Sequence, residues 1–413
     1  MKKTVLSLLC LAAFPALASD LPPEIEAMKA ITNAPMVKES EAGVDMESAN
    51  DAKFKSGPYE YNVLMTGDRR KDEALRQTLS EWSIQVARPI RLPGKAALDR
   101  EIGKKGLSTA EIARGDSLHE SAKSLLHLWF TWMREKLQET EWKNQVKLLS
   151  EEVAVVEKRV RAGDAPRLEL NLARAAADQA KFSELQAEMR EDVAARNLTV
   201  NYPEIVLPEK PDPSDPEPVS ESLEYWKDKI LASNHAIRLA RSRAERALLL
   251  SKRSREDRIP DPTIGVNYSS EYGGSQKVVG GLVSFPLPGD FRKAGARSAA
   301  AAAEMALQRE VDVRRKTEAD ISSNYIMAKA SYNGWEKSRE AADGMIRNAH
   351  LVSVAYALGE ASLSDLLTAR RLSIESQLAS RLAQVDALET RYRLKVDAHM
   401  LWDFDEGKNT RQQ

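Results

Sequence analysis

The groups that could do chemistry are few and scattered along the chain. Five histidines, His119, His127, His235, His350 and His399, stand without the i,i+4 pairing or the carboxylate spacing that turns two imidazoles onto one metal ion. They read as structural or solvent-facing side chains. Val279-Gly280-Gly281 lacks the flanks of a Walker loop or a dinucleotide fingerprint and reads as a strand with small residues. The single cysteine, Cys10, lies in an N-terminal apolar run, so the remaining chain offers no thiolate for a disulfide, a metal or a nucleophile. These residues predict no enzyme, no cofactor and no resident metal. With 61 Lys and Arg against 62 Asp and Glu the net charge is -1, which provides no field for nucleic acid. One basic cluster stands out: Arg241, Arg243, Arg246, Lys252, Arg253 and Arg255. It reads as a solvated helix face, with contact to acidic groups at a membrane surface as the functional alternative.

The elements that position these groups are long helices and a few strands. Of the 413 residues, 42% are apolar, 30% charged and only 19 are glycine, a composition that favours helix over glycine-looped α/β folds. Lys2 and Lys3, the apolar run 5–14 and the small-x-small site Ala16-Leu17-Ala18 predict a signal peptide over 1–18. Cys10 then counts among its hydrophobes, because Leu9 stands where a lipoprotein signal needs a small residue. The densest later apolar run, Leu125 to Met133, is far below the ~18 residues of a membrane helix. An exported chain of this kind meets a membrane through β-strands or at its surface.

Prolines 203, 208, 211, 213, 216 and 218 mark a linker over 202–219, and the two sides of it repeat. Residues 161–174 align with 357–370: Gly163 with Gly359, Ala165 with Ala361, Leu170 with Leu366, Ala173 with Ala369 and Arg174 with Arg370. Pro93-Gly94 aligns with Pro288-Gly289 and Asn33 with Asn234 at nearly the same offset. The repeats span 19–201 and 220–400, with 401–413 as a tail. Alternating apolar residues predict strands at about 59–66 and 81–90 in the first, and about 262–272 and 276–287 in the second. Gly67 to Ser80 reads as a charged insertion between the first two. Tyr59, Tyr61, Trp82, Tyr268 and Tyr272 suit an interfacial aromatic girdle or a soluble β-layer equally well.

Each strand pair is followed by an antiparallel helical hairpin. Trp142, Val146, Leu149, Val153, Val156 and Val160 form a heptad seam, as do Tyr325, Ala328, Tyr332 and Trp335, and then Ile374, Leu378, Leu382, Val385, Leu388 and Tyr392. The tips fall near 162–166 and 358–362, where Gly163 and Gly359 stop one helix and Pro166 or Ser362 starts the next. Some 60 residues per outgoing arm correspond to roughly 90 Å of helix.

Two strand-strand-hairpin repeats behind a signal peptide, a proline-rich joint, and tips reading Arg161-Ala-Gly-Asp-Ala and Tyr356-Ala-Leu-Gly-Glu-Ala-Ser-Leu-Ser-Asp resemble the TolC-like outer membrane efflux protein family. The tips look closest to its heavy-metal, CzcC-like subgroup. The resemblance implies a mixed, mainly α fold in which three chains share a twelve-stranded outer-membrane β-barrel continued by a periplasmic α-helical coiled-coil tube. It implies a passive channel of a tripartite efflux system, with a homotrimer, a periplasmic adaptor protein, an inner-membrane pump reached through the adaptor, and outer membrane lipid as partners, and metal ions as one cargo. It also implies a pore gate at Asp365, Tyr356 and Glu169, in which Tyr356 faces Glu169, and adaptor-docking tips at Gly163, Asp164, Ala165, Gly359, Glu360, Ala361 and Ser362. Two departures stand out: Thr368 replaces a second family aspartate, and Ala361 an arginine that often closes the gate. The exit duct of a type I secretion system and a soluble periplasmic coiled-coil scaffold remain as alternatives.

Overall fold

The computed structural model describes residues 20–74 and 76–402; the signal peptide, Cys10 and most of the 401–413 tail lie outside them. The order of elements is α1 (Glu24–Asn33), α2 (Pro35–Ser56), β1 (Asn62–Asp72), β2 (Gln77–Pro89), α3 (Pro93–Ala162) and α4 (Arg167–Asn201), then α5 (Leu223–Ser233), α6 (His235–Glu256), β3 (Thr263–Glu271), β4 (Gln276–Ser284), α7 (Asp290–Ala357) and α8 (Leu363–Asp397). The duplication is visible in the lengths: α2 and α6 have 22 residues each, α3 and α7 have 70 and 68, and α4 and α8 have 35 each. No regular element lies between Asn201 and Leu223.

Of the helices that precede each strand pair, α6 carries the basic cluster already read as a helix face, and α1, α2 and α5 are additions to the sequence reading. The Asn33 and Asn234 anchors mark the same break in both repeats: Asn33 ends α1, and the Asn234 side chain caps α6 by accepting from Ile237 N–H at 2.9 Å. The strands also differ from expectation. Gly67 to Asp72 and Gln77 to Ser80 are not an insertion but the far ends of β1 and β2, paired from Gly67↔Trp82 to Asp72↔Gln77. Their charge hides them from a hydrophobic pattern, and backbone pairing holds them.

Two compact units divide the described residues: 35–119 with 231–319, and 20–34, 120–230 and 320–402. The first holds the antiparallel sheet, ordered β1-β2-β3-β4, so β1 and β4 each keep one unpaired edge. Directly paired residues share a face. The register therefore puts Val63, Val86 and Val266 in one row and Met65, Ile84, Tyr268 and Val279 in the next, with Ile264 and Val283 beside them. The opposite face is mixed: Thr66, Ser83 and Ser269 share a row with Val278, Gln85 and Asn267 a row with Leu64, and Ala87 and Gly265 a row with Leu282. No helix packs broadly on either face. The apolar face is open: Met65 is 70% exposed, Val266 62% and Val279 78%. On the mixed face Gly265 has no room for a side chain, since a Cβ would stand 2.7 Å from the Ala87 Cβ and the Val86 carbonyl.

All four connections to helices leave one end of this sheet, where buried charges fix them. Lys95, 1% exposed, donates from Nζ to the Ile259 carbonyl at 2.7 Å and lies 3.0 Å from Asp261 and 3.3 Å from Asp257. The Tyr59 hydroxyl donates to Asp261 at 2.5 Å. Burial, then the hydrogen bond to Asp261 and that group's charge, pushes the phenol up to about 12, while the donors Tyr59, Lys95 and Leu92 N–H outweigh burial and hold the Asp261 carboxyl low. Tyr59 thus precedes β1 and leaves the aromatic girdle; Trp82 and Tyr268, with rings 5.5 Å apart, remain on the apolar face. The basic cluster divides too. Arg246 grips Glu47 through two nitrogens at 3.2 and 3.0 Å and Arg253 reaches Asp99 at 2.6 Å, whereas Arg241, Arg243, Lys252 and Arg255 are exposed.

The second unit has an aromatic core from α3, in which Trp129, Phe130, Trp132 and Met133 are all buried. Helix packing toward the tips follows a period of seven. Ala173, Ala180, Ala187 and Ala194 are buried along α4; Ile321, Ala328, Trp335 and Ala342 along α7; Leu366, Ser373, Ser380, Ala387 and Leu394 along α8. A strict seven-residue repeat gives left-handed supercoiling, and small residues on it let the backbones approach. The predicted α8 seam is displaced in its first half, where Ile374, Leu378 and Leu382 are only half-buried and the column beside them packs, while its Val385 and Leu388 are buried as expected. The proline-rich linker is strapped to this unit, with Gln384 donating to the Pro213 and Ser214 carbonyls at 3.0 Å and Arg339 bonding Asp215 at 3.1 Å.

Candidate functional site

Both hairpin tips are built by the same backbone device. At the first, Asp164 N–H donates to the Arg159 carbonyl at 2.9 Å and Gly163 N–H to that of Val160 at 3.2 Å. At the second, Glu360 N–H donates to the Ala355 carbonyl at 2.8 Å and Gly359 N–H to that of Tyr356 at 3.1 Å. This six-to-one with five-to-two pattern needs a left-handed residue after the helix end, and Gly163 and Gly359 supply it at φ 83° and 82°. Nothing lies within 4 Å of a Cβ at either glycine, so backbone conformation alone selects the residue.

The helices that leave the tips start differently. Pro166 precedes α4 without a side-chain cap, while Ser362 and Asp365 form a full capping box at the start of α8. Ser362 N–H and Oγ donate to Asp365 Oδ2 at 3.1 and 2.7 Å, and Asp365 N–H donates back to Ser362 Oγ at 3.2 Å. These bonds hold the Asp365 carboxyl below its ordinary value. The side chain is exposed, along with Gly163, Asp164, Gly359, Glu360 and Ser362; Ala165 and Ala361 are half-buried.

Behind the tips the two hairpins pack on each other. Val156, Ala173, Leu363 and Leu366 form a buried cluster, with Val160, Leu170, Val352 and Tyr356 against it. Arg370 Nη1 lies 2.7 Å from Glu152 Oε2 beside this cluster. Tyr356 and Glu169, expected to face each other, are joined through a third residue. Arg159 Nη1 donates to the Tyr356 hydroxyl at 2.5 Å and lies 4.0 Å from Glu169 Oε2, with the guanidinium carbon 5.2 Å from the tyrosine ring centre. Burial pushes the Tyr356 phenol up, against the opposing pull of Arg159.

Of the expected gate residues, then, Tyr356 and Glu169 share one cation, and Asp365 is engaged with Ser362 instead. Arg159 was missed. The available signal was the absent arginine at Ala361: a tip tyrosine without its local cation calls for one from the other hairpin. The repeat itself hid it, because the counterparts of Arg159 and Val160 are Ala355 and Tyr356.

The histidines are less scattered in space than in sequence, His119 and His235 having ring centres 6.3 Å apart and His127 Nδ1 lying 3.0 Å from Glu389. Among the described residues no group of three metal-ligating side chains converges, and no helix is long and apolar enough to cross a membrane.

No protein-family model and no curated protein sequence matches the chain. Solved structures do. The Campylobacter jejuni CmeC outer membrane channel covers 100% of this chain with 96% of its own, at a TM-score of 0.76 and 14% identity. The outer membrane protein VceC of Vibrio cholerae covers 91% with 95% of its own, at 0.73 and 14%. The open state of the Neisseria gonorrhoeae MtrE outer membrane channel covers 94% with 93% of its own, at 0.72 and 15%. The fold of this chain is that of these outer membrane channels, over nearly its whole length.

Proposed function

We propose that three copies of this chain form a passive outer-membrane channel of a tripartite efflux system, which carries solutes from a periplasmic adaptor and its inner-membrane pump to the exterior. The observation that carries the reading is the sheet: four antiparallel strands of 9 to 13 residues with one bare apolar face, one mixed face centred on Thr, Ser, Gln and Asn, and two unpaired edges. In water such a sheet is a liability. In a bilayer the open edges must close, and β4 of one copy pairing with β1 of the next closes three copies into twelve strands, mixed face inward.

A second observation favours the same assembly. Leu185, Met189, Val193 and Val200 are all more than half exposed on α4, a stripe distinct from the buried alanine column. The hairpin of a neighbouring copy covers it. The paired tips then form the docking surface for the adaptor, and Asp365, Tyr356, Glu169 and Arg159 the narrow end of the conduit. Metal ions are the cargo class suggested by the tip sequences.

Cell fractionation and mass measurement test the assembly. The protein is expected in the outer membrane, and its detergent extract at the mass of three mature chains. Recovery in the soluble periplasm, or a stable monomer in detergent, overturns the channel in favour of a soluble scaffold. An efflux assay in a deletion strain across metals, drugs and peptides identifies the cargo and separates efflux from polypeptide export.

A further inference from the structure

At the helix end of the sheet the apolar face does not stop with β4. The alternation of Gly281 and Val283 continues through Phe285 and Leu287, which are 65% and 92% exposed, and Phe291 in the first turn of α7 is 91% exposed. Immediately beside them the end of α6 and the start of α7 enclose an open groove of about 510 Å³ lined by Arg255, Arg258, Arg292 and Lys293, continuous with a second of about 460 Å³ that adds Arg297. Among the described residues Arg255, Arg258 and Arg297 have no carboxylate partner, Arg292 donates only to the Asp257 carbonyl at 2.8 Å, and Lys293 pairs with the exposed Asp290 of its own helix. Five cations therefore face three local acids, Glu256, Asp257 and Asp290, of which the Asp257 carboxylate is taken by Lys95 and Arg253 and Asp290 by Lys293.

From this geometry we infer a binding site for the headgroup of an anionic phospholipid, with the phosphodiester among the guanidinium groups and the acyl chains against Phe285, Leu287 and Phe291. The inference rests on the reading of the strands as membrane-spanning. The order along the chain, apolar strand face, exposed aromatic, arginine, is that of a chain passing from hydrocarbon through the headgroup layer. Arginine matches a phosphodiester with paired donors, and each cation at an anionic surface adds a roughly fivefold gain in binding. A neighbouring copy is the other candidate occupant, but it brings no net negative charge. Pairing of β4 with the next copy's β1 brings up the segment just before that strand, where Lys53 and Lys55 stand against Asp51 and Glu60 and Lys55 is already paired with Asp51. That segment leaves the cations of the groove unneutralised.

The test uses the full-length protein in nonionic detergent, titrated with phosphatidylglycerol or phosphatidylcholine and read by native mass spectrometry. Wild type is expected to retain phosphatidylglycerol in preference to phosphatidylcholine. The triple variant Arg258→Gln, Arg292→Gln, Arg297→Gln should bind phosphatidylglycerol on the order of a hundredfold more weakly with phosphatidylcholine binding unchanged. The corresponding triple change to Lys should retain the preference, which separates charge from folding. Excess inorganic phosphate should not displace the lipid, since it leaves the apolar contacts unused. Equal phosphatidylglycerol binding by wild type and the Gln variant overturns the site, as does ready displacement by phosphate. A Gln variant that dissociates into single chains assigns the groove to contact between copies and overturns it as well. Single-channel recording of the same samples keeps the two readings apart: a conducting protein without lipid preference fails the site alone, and lipid binding without conduction fails the channel alone.

Discussion

Arg159 of the first hairpin and Tyr356 of the second are joined by a 2.5 Å hydrogen bond, and the same arginine nitrogen lies 4.0 Å from Glu169. One cation therefore ties an outgoing helix of one repeat to an outgoing helix of the other within a single chain.

Removal of that tie should loosen the resting tip. Arg159→Gln, and Tyr356→Phe combined with Glu169→Gln, are each expected to raise single-channel conductance in a planar bilayer. A bond to a charged donor is worth about 1.5 to 3 kcal/mol, enough to shift a two-state tip by roughly tenfold or more. Wild-type conductance in both variants places the closure elsewhere in the hairpins.

Asp365 should behave differently, as a charge and not a tie. Asp365→Asn is expected to weaken cation preference and block by multivalent cations with little change in resting aperture. Its carboxyl is held below the ordinary value by Ser362, so the stability it adds is complete above about pH 4 and lost as pH falls through the lowered value. Cation preference measured against pH should persist to at least pH 4. A half-point well above that means three like charges meeting at one axis outweigh the capping box.

The glycine turns give a third prediction. A Cβ at position 163 or 359 has no atom within 4 Å, so the main cost of Gly163→Val or Gly359→Val is the left-handed backbone, about 1 to 2 kcal/mol. Efflux should fall while membrane recovery stays normal. Normal efflux from both variants removes the tips from the docking surface.

The two faces of the sheet should respond oppositely to the same charge. Val266→Arg puts a cation on the apolar face at a cost of about 2 to 4 kcal/mol near the bilayer midplane, whereas Gln85→Arg points to the mixed face. Heat-resistant oligomer in membrane extracts should be lost for the first and kept for the second. Equal tolerance of both sinks the barrel.

At the sheet's helix end, Lys95→Met leaves Asp261 and Asp257 without their buried cation, a change expected to cost about 3 to 5 kcal/mol. A melting temperature within a degree or two of wild type would show that water enters this cluster and carries the charge instead.

How much of this was legible in the sequence depended on how local each signal is. The tips were readable because a left-handed helix stop leaves glycine almost no rivals, and the apolar sheet face because a period of two survives burial on one side only. Helix α2 was not, since it buries Glu47 and Asp51 alongside Val37 and so lacks an apolar stripe, whereas α6 showed itself only through the spacing of its basic cluster. The packed columns of α4 and α8 were passed over because Ala and Ser carry little hydrophobic signal next to Ile374, Leu378 and Leu382. Arg159 was invisible for a different reason: its partner is 197 residues away.

The two free edges of the sheet also set conditions on the chain's life before it reaches its final place. In the proposed trimer a strand edge is satisfied only by another copy and cannot be completed during synthesis, so each chain would meet its partners with β1 and β4 open and the Val266 face bare. Completion would then need three chains at once, and its rate should fall steeply as expression is lowered. The cations Arg69, Arg70 and Lys71 on β1 would act in that interval as gatekeepers, repelling premature edge-to-edge pairing between like chains.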